Sequence, residues 1–184
     1  MKYIINNITS TQIEVKKSKF ISFLVPIEQF SQIYKQLKKE HPKANHIVWA
    51  KRELNEFKQI VENSSDDGEP KGAAGVPTLN VLRGNGLINC AILTVRYFGG
   101  IKLGVGGMAR AYSEAANSVV KKATLTPYME LIDYTIEANY NEQRQIEYNL
   151  KELGVTQIKR EFLPTKVLYH IKTTKEKIEK LKRF

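Results

Sequence analysis

The sequence predicts an α+β protein in two parts, and three observations carry the prediction. Residues 87–95 form a nearly continuous apolar run, as in a strand buried on both faces, and lead through a glycine-rich stretch into a long helix-forming segment. Residues 124–128, with Pro127, read as a linker. Beyond the linker, hydrophobic periodicity runs strand, helix, strand, strand, helix. The expected domains are therefore 1–127 and 128–184.

Taken in order, Ile13 and Val15 and then residues 20–25 predict two short strands, with Lys16, Lys17 and Lys19 at the turn between them. From residue 28 to 41, Phe30, Ile33, Tyr34 and Leu37 recur at helical spacing, and Pro42 ends the helix. Residues 45–52 and 57–62 read as strands around a polar turn. A long polar loop, SSDDGEPKGAAG, follows at 64–75, and irregular loops of that length are often functional. Residues 76–83 predict a short helix that tolerates Pro77 in its first turn and is broken by Gly84 and Gly86. In the second part, strand 131–138, helix 141–153, strands 156–162 and 166–173 and helix 175–183 make a βαββα unit. This is a split-βαβ, ferredoxin-like pattern without its last strand, either truncated or content with three strands. Asn141 is the expected N-cap of its first helix and Gly154 the C-cap, while Pro164 falls in the turn between strands.

Composition is that of a packed chain, with 42% hydrophobic and 26% charged residues. No apolar run approaches a membrane span, the N-terminus lacks a secretory signal pattern, and a single cysteine, Cys90, fits a reducing compartment; the expected location is cytoplasmic. The net charge of +10 favours polyanions, and its excess is concentrated in residues 1–127, with 18 basic against 10 acidic side chains.

The stretch RYFGGIKLGVGGMAR holds five glycines within nine residues, Gly99, Gly100, Gly104, Gly106 and Gly107, between a strand and a helix. Glycines let a ligand approach the backbone, and a helix beginning near Gly106 presents free amides and its positive dipole end to an anion. Arg96, Lys102 and Arg110 flank those amides and are the expected phosphate contacts. The pattern is neither a Walker motif nor a dinucleotide fingerprint. Its plain alternative is tight strand–helix packing with the arginines neutralising carboxylates. Asp66, Asp67 and Glu69 could hold Mg²⁺ or, as preferred here, fold the loop by ion pairs onto the glycine-rich segment. His46 opens an apolar strand, where a lone histidine is more often structural than catalytic, and Cys90 reads as core. No nucleophile–base signature or zinc cluster is present, so no catalytic residue and no cofactor are expected.

The pair DDGEP…G-x-AG and VRYFGGIKLG-x-GG-x-x-RAY, with SKF at 18–20 and His46, resembles the IMPACT/YigZ family strongly over residues 1–127. The resemblance implies a ribosomal protein S5 domain 2-like fold followed by a ferredoxin-like domain, an order similar to the last two domains of elongation factor G. Ribosome or structured-RNA contact is what that order implies. Eukaryotic relatives regulate translation by competing for the activator of a general-control kinase, through an extra N-terminal domain that these 184 residues do not contain, so that role is not carried over. Two departures stand out. Lys71, Gly72, Ala73, Ala74 and Gly75 replace the family's S-G-T-A-G, and Ile47-Val48 replaces the asparagine–cysteine after the histidine. Both cost polar side chains but leave backbone amides available, which favours binding over catalysis.

The leading expectation is thus a non-catalytic, translation-associated protein that contacts ribosome or RNA and regulates translation. The rival is a Mg²⁺-dependent enzyme acting on a nucleotide or phosphorylated small molecule. It rests on similarity to the phosphate loop of GHMP kinases, whose G-L-G-S-S pattern is absent here. A third reading is a module that binds a ribosome-associated protein; no membrane contact is expected.

Overall fold

Alternation at period two lets single strands serve two layers. In the segment SKFISFLVP, Phe20 and Leu24 enter clusters on one side of a sheet, while Ile21, Phe23 and Val25 enter a cluster on the other. The computed structural model describes all residues from Met1 to Phe184. It divides into two units, Met1–Tyr128 and Met129–Phe184. The first contains β1 (Tyr3–Ile4), β2 (Thr9–Val15), β3 (Ser18–Pro26), α1 (Phe30–Glu40), β4 (His46–Leu54), β5 (Ile60–Ser65), α2 (Gly75–Gly84), β6 (Cys90–Tyr97), α3 (Gly104–Lys122) and β7 (Thr126–Pro127). Five strands pair in the order β2-β3-β6-β4-β5, every neighbour antiparallel. As a result β3 and β4 run parallel on either side of β6, joined through α1.

Helix α1 covers one face: Phe30, Ile33, Tyr34 and Leu37 pack on Val25, Ile47, Leu93 and Val95. Helices α2 and α3 cover the other. Leu79, Leu82, Ala116 and Val119 meet Leu24, Ala50 and Ile92, while Ala111, Tyr112 and Ala115 meet Phe20 and Val48. Two covered faces explain why β6 is buried along nearly its whole length. Burial also pushes the Cys90 thiol up to about 12, so it stays a protonated core side chain.

The second unit runs β8 (Ile132–Asn139), α4 (Gln143–Glu152), β9 (Gln157–Phe162), β10 (Lys166–Thr173) and α5 (Lys175–Leu181). Its three strands pair antiparallel as β8-β10-β9, and Val167, Tyr169 and Ile171 pack with Ala138, Leu150 and Val155. The chain is α+β, an S5 domain 2-like unit followed by a ferredoxin-like βαββα unit.

Several boundaries differ from the periodicity. Strand β5 begins at Ile60, three residues late, because Asn55 Oδ1 accepts hydrogen bonds from the Phe57 and Gln59 amides and ties residues 55–59 into the turn. Strand β6 begins at Cys90; Leu87 and Ile88 are buried, but Asn89 sits at φ 54°, outside the extended region. Part of the presumed linker is β7, which pairs with β1. The cap near α4 is Asn139, not Asn141: Asn139 and Glu142 form a reciprocal capping box around a 3₁₀ turn at 140–142. No helix is long and apolar enough to cross a membrane.

Candidate functional site

Register brings together residues distant in sequence. Phe20 on β3, Arg96 on β6 and His46 on β4 are direct neighbours across three strands. The row lies beneath α3, where buried Tyr112 meets Phe20 edge-to-face with ring centroids 5.1 Å apart. Into this row the 64–75 loop inserts Glu69, whose carboxylate is buried. Arg96 Nη1 donates to both oxygens of Glu69 at 2.8 and 2.7 Å. Tyr112 donates its hydroxyl to Oε2 at 2.6 Å, and His46 Nε2 lies 2.8 Å from Oε1. His46 Nδ1 lies 2.7 Å from the Asp67 carbonyl, which can only accept, so Nδ1 carries a proton. One buried acid thus gathers the Arg96 guanidinium, the Tyr112 hydroxyl and the His46 ring. Burial, and then the bond to Glu69, push the Tyr112 hydroxyl far up, which keeps it a donor.

The other two acids of the loop face elsewhere. Asp66 accepts from the Gly72, Ala74 and Gly75 amides at 3.0, 3.3 and 2.8 Å and so caps α2, whose own N-cap, Ala74, has no oxygen to offer. Burial works to raise its pKa, but the Gly75, Gly72 and Ala74 amides outweigh it and hold the carboxyl below its usual range. Asp67 Oδ2 accepts from the Ile47 amide at 2.7 Å, locking the loop to β4. A group whose folded pKa is depressed stabilises above the unfolded pKa, and loses that contribution as pH falls through the folded one. Asp66→Asn should therefore cost about 1–3 kcal/mol at neutral pH. The gap from the parent should close on acidification, as urea melts at the two pH values would show.

Helix α3 begins at Gly104, φ 74°, after Leu103, whose side chain cannot cap. No acidic residue lies in its first turn. The first amides are thus left without an intrahelical or side-chain acceptor. Arg110 folds back along the helix: a Cβ placed on Gly106 would stand 3.4 Å from its Nη1, and one on Gly107 3.9 Å from its Nη2. Lys102 precedes the helix on the rim of a cavity of about 440 Å³ lined also by His46, Glu69, Phe98, Gly104 and Val105. Neither Lys102 nor Arg110 has a carboxylate within ion-pairing distance.

Of the residues singled out in the sequence, Gly104, Gly106 and Gly107 open α3, Lys102 lines a cavity beside Gly104, and Arg110 lies against Gly106 and Gly107 and lines a separate hollow with Asn80 and Glu114. Arg96 does not join them as an open contact; it is buried and held by Glu69, the ion pair that the loop reading preferred. His46 and Glu69 join Arg96, whereas Asp66 and Asp67 serve the loop. The three acids do not fit a Mg²⁺ ion: each faces separate amide or cationic donors, and no three His, Cys, Asp or Glu side chains converge. Of the residues that depart from the family pattern, Ile47, Val48 and Ala73 are buried packing, whereas Lys71 is exposed. Tyr112 was missed. Its signal is its place on the buried stripe Met108, Ala111, Tyr112, Ala115, where a phenol needs a partner.

Known proteins resemble this chain over most of its length. Residues 16–120 match the Impact N-terminal domain. The IMPACT family member YigZ of Escherichia coli (strain K12) is 35% identical over 139 residues, 73% of this chain and 67% of that protein. The IMPACT family member YvyE of Bacillus subtilis (strain 168) is 38% identical over 152 residues, 77% of this chain and 69% of its own length. A crystal structure of a hypothetical protein, 29% identical, covers 98% of this chain and 88% of its own with a TM-score of 0.66. Each match to a curated relative spans about two thirds of that relative.

Proposed function

The chain belongs to the IMPACT family, and from that premise we propose that it is a translation-associated protein that holds RNA phosphates, those of the ribosome or another structured RNA, at the start of α3. One observation carries the reading. An uncapped N-terminus of a 19-residue helix, free of acidic residues in its first turn, has Lys102 two residues before it and Arg110 folded back over Gly106 and Gly107, and neither cation has a carboxylate within ion-pairing distance. Free amides, a positive dipole end and unspent charge are what a phosphate requires. The fold order, similar to the last two domains of elongation factor G, points that chemistry toward the ribosome, and the net charge of +10 assists encounter.

The test uses Lys102→Gln and Arg110→Gln, because Arg96 is structural. Binding to a labelled RNA hairpin should weaken steeply with salt, and each variant should lower the log–log salt slope by about one. Co-sedimentation with ribosomal subunits should be salt-labile in the same way. Affinity indifferent to salt, or unchanged in both variants, would overturn the proposal.

A further inference from the structure

The hairpin between β2 and β3 carries a local conflict. Val15 pairs with Ser18, so the turn has two central residues, and both stand in the left-handed region: Lys16 at φ 47° and Lys17 at φ 67°. A turn of this form favours asparagine followed by glycine, which reach positive φ without strain. Two lysines there are unfavourable for the fold. Neither buries against the core, and neither has a carboxylate within ion-pairing distance. Strained residues without a packing role point to a contact outside the fold.

The turn also adjoins the glycine-rich stretch. A Cβ on Gly99 would stand 2.0 Å from the Lys17 carbonyl oxygen, so the two backbones lie flush. The preceding residue, Phe98, is 48% exposed, and its ring centre lies 5.8 Å from the Arg96 guanidinium carbon. Its amide donates to Asn45 Oδ1 at 2.8 Å, which fixes the backbone that carries the ring. Exposed lysines, an exposed aromatic on a fixed backbone and Lys102 thus occupy two touching segments, 16–17 and 98–102.

We propose that Lys16, Lys17 and Phe98 form a binding site for single-stranded RNA, the ammonium groups on backbone phosphates and a base on the exposed surface of the Phe98 ring. The strand is unpaired because a base must leave its own stack to lie on a side-chain ring. Lysines on a mobile stem suit phosphates as point charges, with no sequence readout required. The proposal rests on the phosphate-holding reading of α3 and extends it across Gly99 to the hairpin.

The decisive variant is Lys16→Asn/Lys17→Gly, which installs the favoured turn. It should raise the melting temperature, so that lost binding cannot be ascribed to misfolding. Affinity for a fluorescein-labelled oligouridylate of about 16 nucleotides should fall roughly tenfold at moderate salt, with a shallower salt slope by about 1.4. Phe98→Leu should cost about tenfold while leaving the slope unchanged, since it removes a ring and no charge. A duplex of equal length should bind the parent more weakly than the single strand. If the turn variant is more stable and binds like the parent, if Phe98→Leu binds like the parent, or if the duplex is preferred, the inference fails. Should Lys102→Gln and Arg110→Gln still weaken binding in that event, the phosphate reading of α3 stands without it. A parent protein that binds neither RNA overturns both.

Discussion

Glu69→Leu is expected to destabilise the first unit by about 3–5 kcal/mol, the cost of removing one partner from a buried ion pair. Side-chain exposure is 3% for Glu69 and 5% for Arg96, so water cannot take the place of the lost carboxylate. The variant strands a guanidinium charge, the Tyr112 hydroxyl and the His46 Nε2 contact together. Leucine is close in volume, which keeps the loss electrostatic in origin. Trp49, the single tryptophan, sits on β4, so its fluorescence in urea follows this unit and not the second. That matters because two units need not unfold together, and a global signal would mix their transitions.

The double variant Glu69→Leu/Arg96→Met should recover about half of that loss or more. An apolar pair of similar shape can be as stable as a buried ion pair; the penalty lies in the charge left alone. Strictly additive losses would mean that Glu69 acts mainly through His46 and Tyr112, not through Arg96. Either result bears on function, since Arg96 looks from sequence like a phosphate clamp. A guanidinium whose neutralisation is needed for folding cannot also be free for a ligand.

That misplacement shows where sequence reasoning stops. The glycine-rich stretch could be placed between a buried strand and a long helix because apolar run length and helix propensity are local. Sequence offered Arg96, Lys102 or Arg110 as ion-pair partners for the acids of the DDGEP loop, and of these pairings only Glu69 with Arg96 forms. What could not be read was register. Phe20, His46 and Arg96 become one row only when β3, β6 and β4 align, and no local signal sets that alignment. Arg96 at the end of an apolar strand looks like a residue leaving the core, yet Glu69 enters from a loop 27 residues away to meet it. Tyr112 vanished into an alanine-rich helix for the same reason. The shift of β5 is different in kind: Asn55 closes the turn with its own side chain, a choice that periodicity does not record.

Gly99→Ala should be the more damaging of two neighbouring alanine substitutions, by about 2–3 kcal/mol of lost stability. Its added carbon would meet the Lys17 carbonyl oxygen at 2.0 Å, the carbonyl carbon at 2.1 Å and Cβ at 2.6 Å. All three belong to backbone or to its first side-chain atom, so no rotamer change relieves the clash and the hairpin must move. Moving it also disturbs the contacts that Ser18 Oγ makes with the Gly99 amide and Arg96. Gly100 offers the contrast: nothing lies within 4 Å of its would-be Cβ, and the penalty there is the strain of alanine at φ 91°, about 1 kcal/mol. Glycine spacing alone would rank the two positions equally, or favour the one with positive φ. If the hairpin and the glycine-rich stretch form one RNA-contacting surface, Gly99→Ala should also weaken oligouridylate binding while the folded fraction is held constant. Gly100→Ala should bind as the parent does. Equal binding by both folded variants would mean that the contact across Gly99 serves the fold alone.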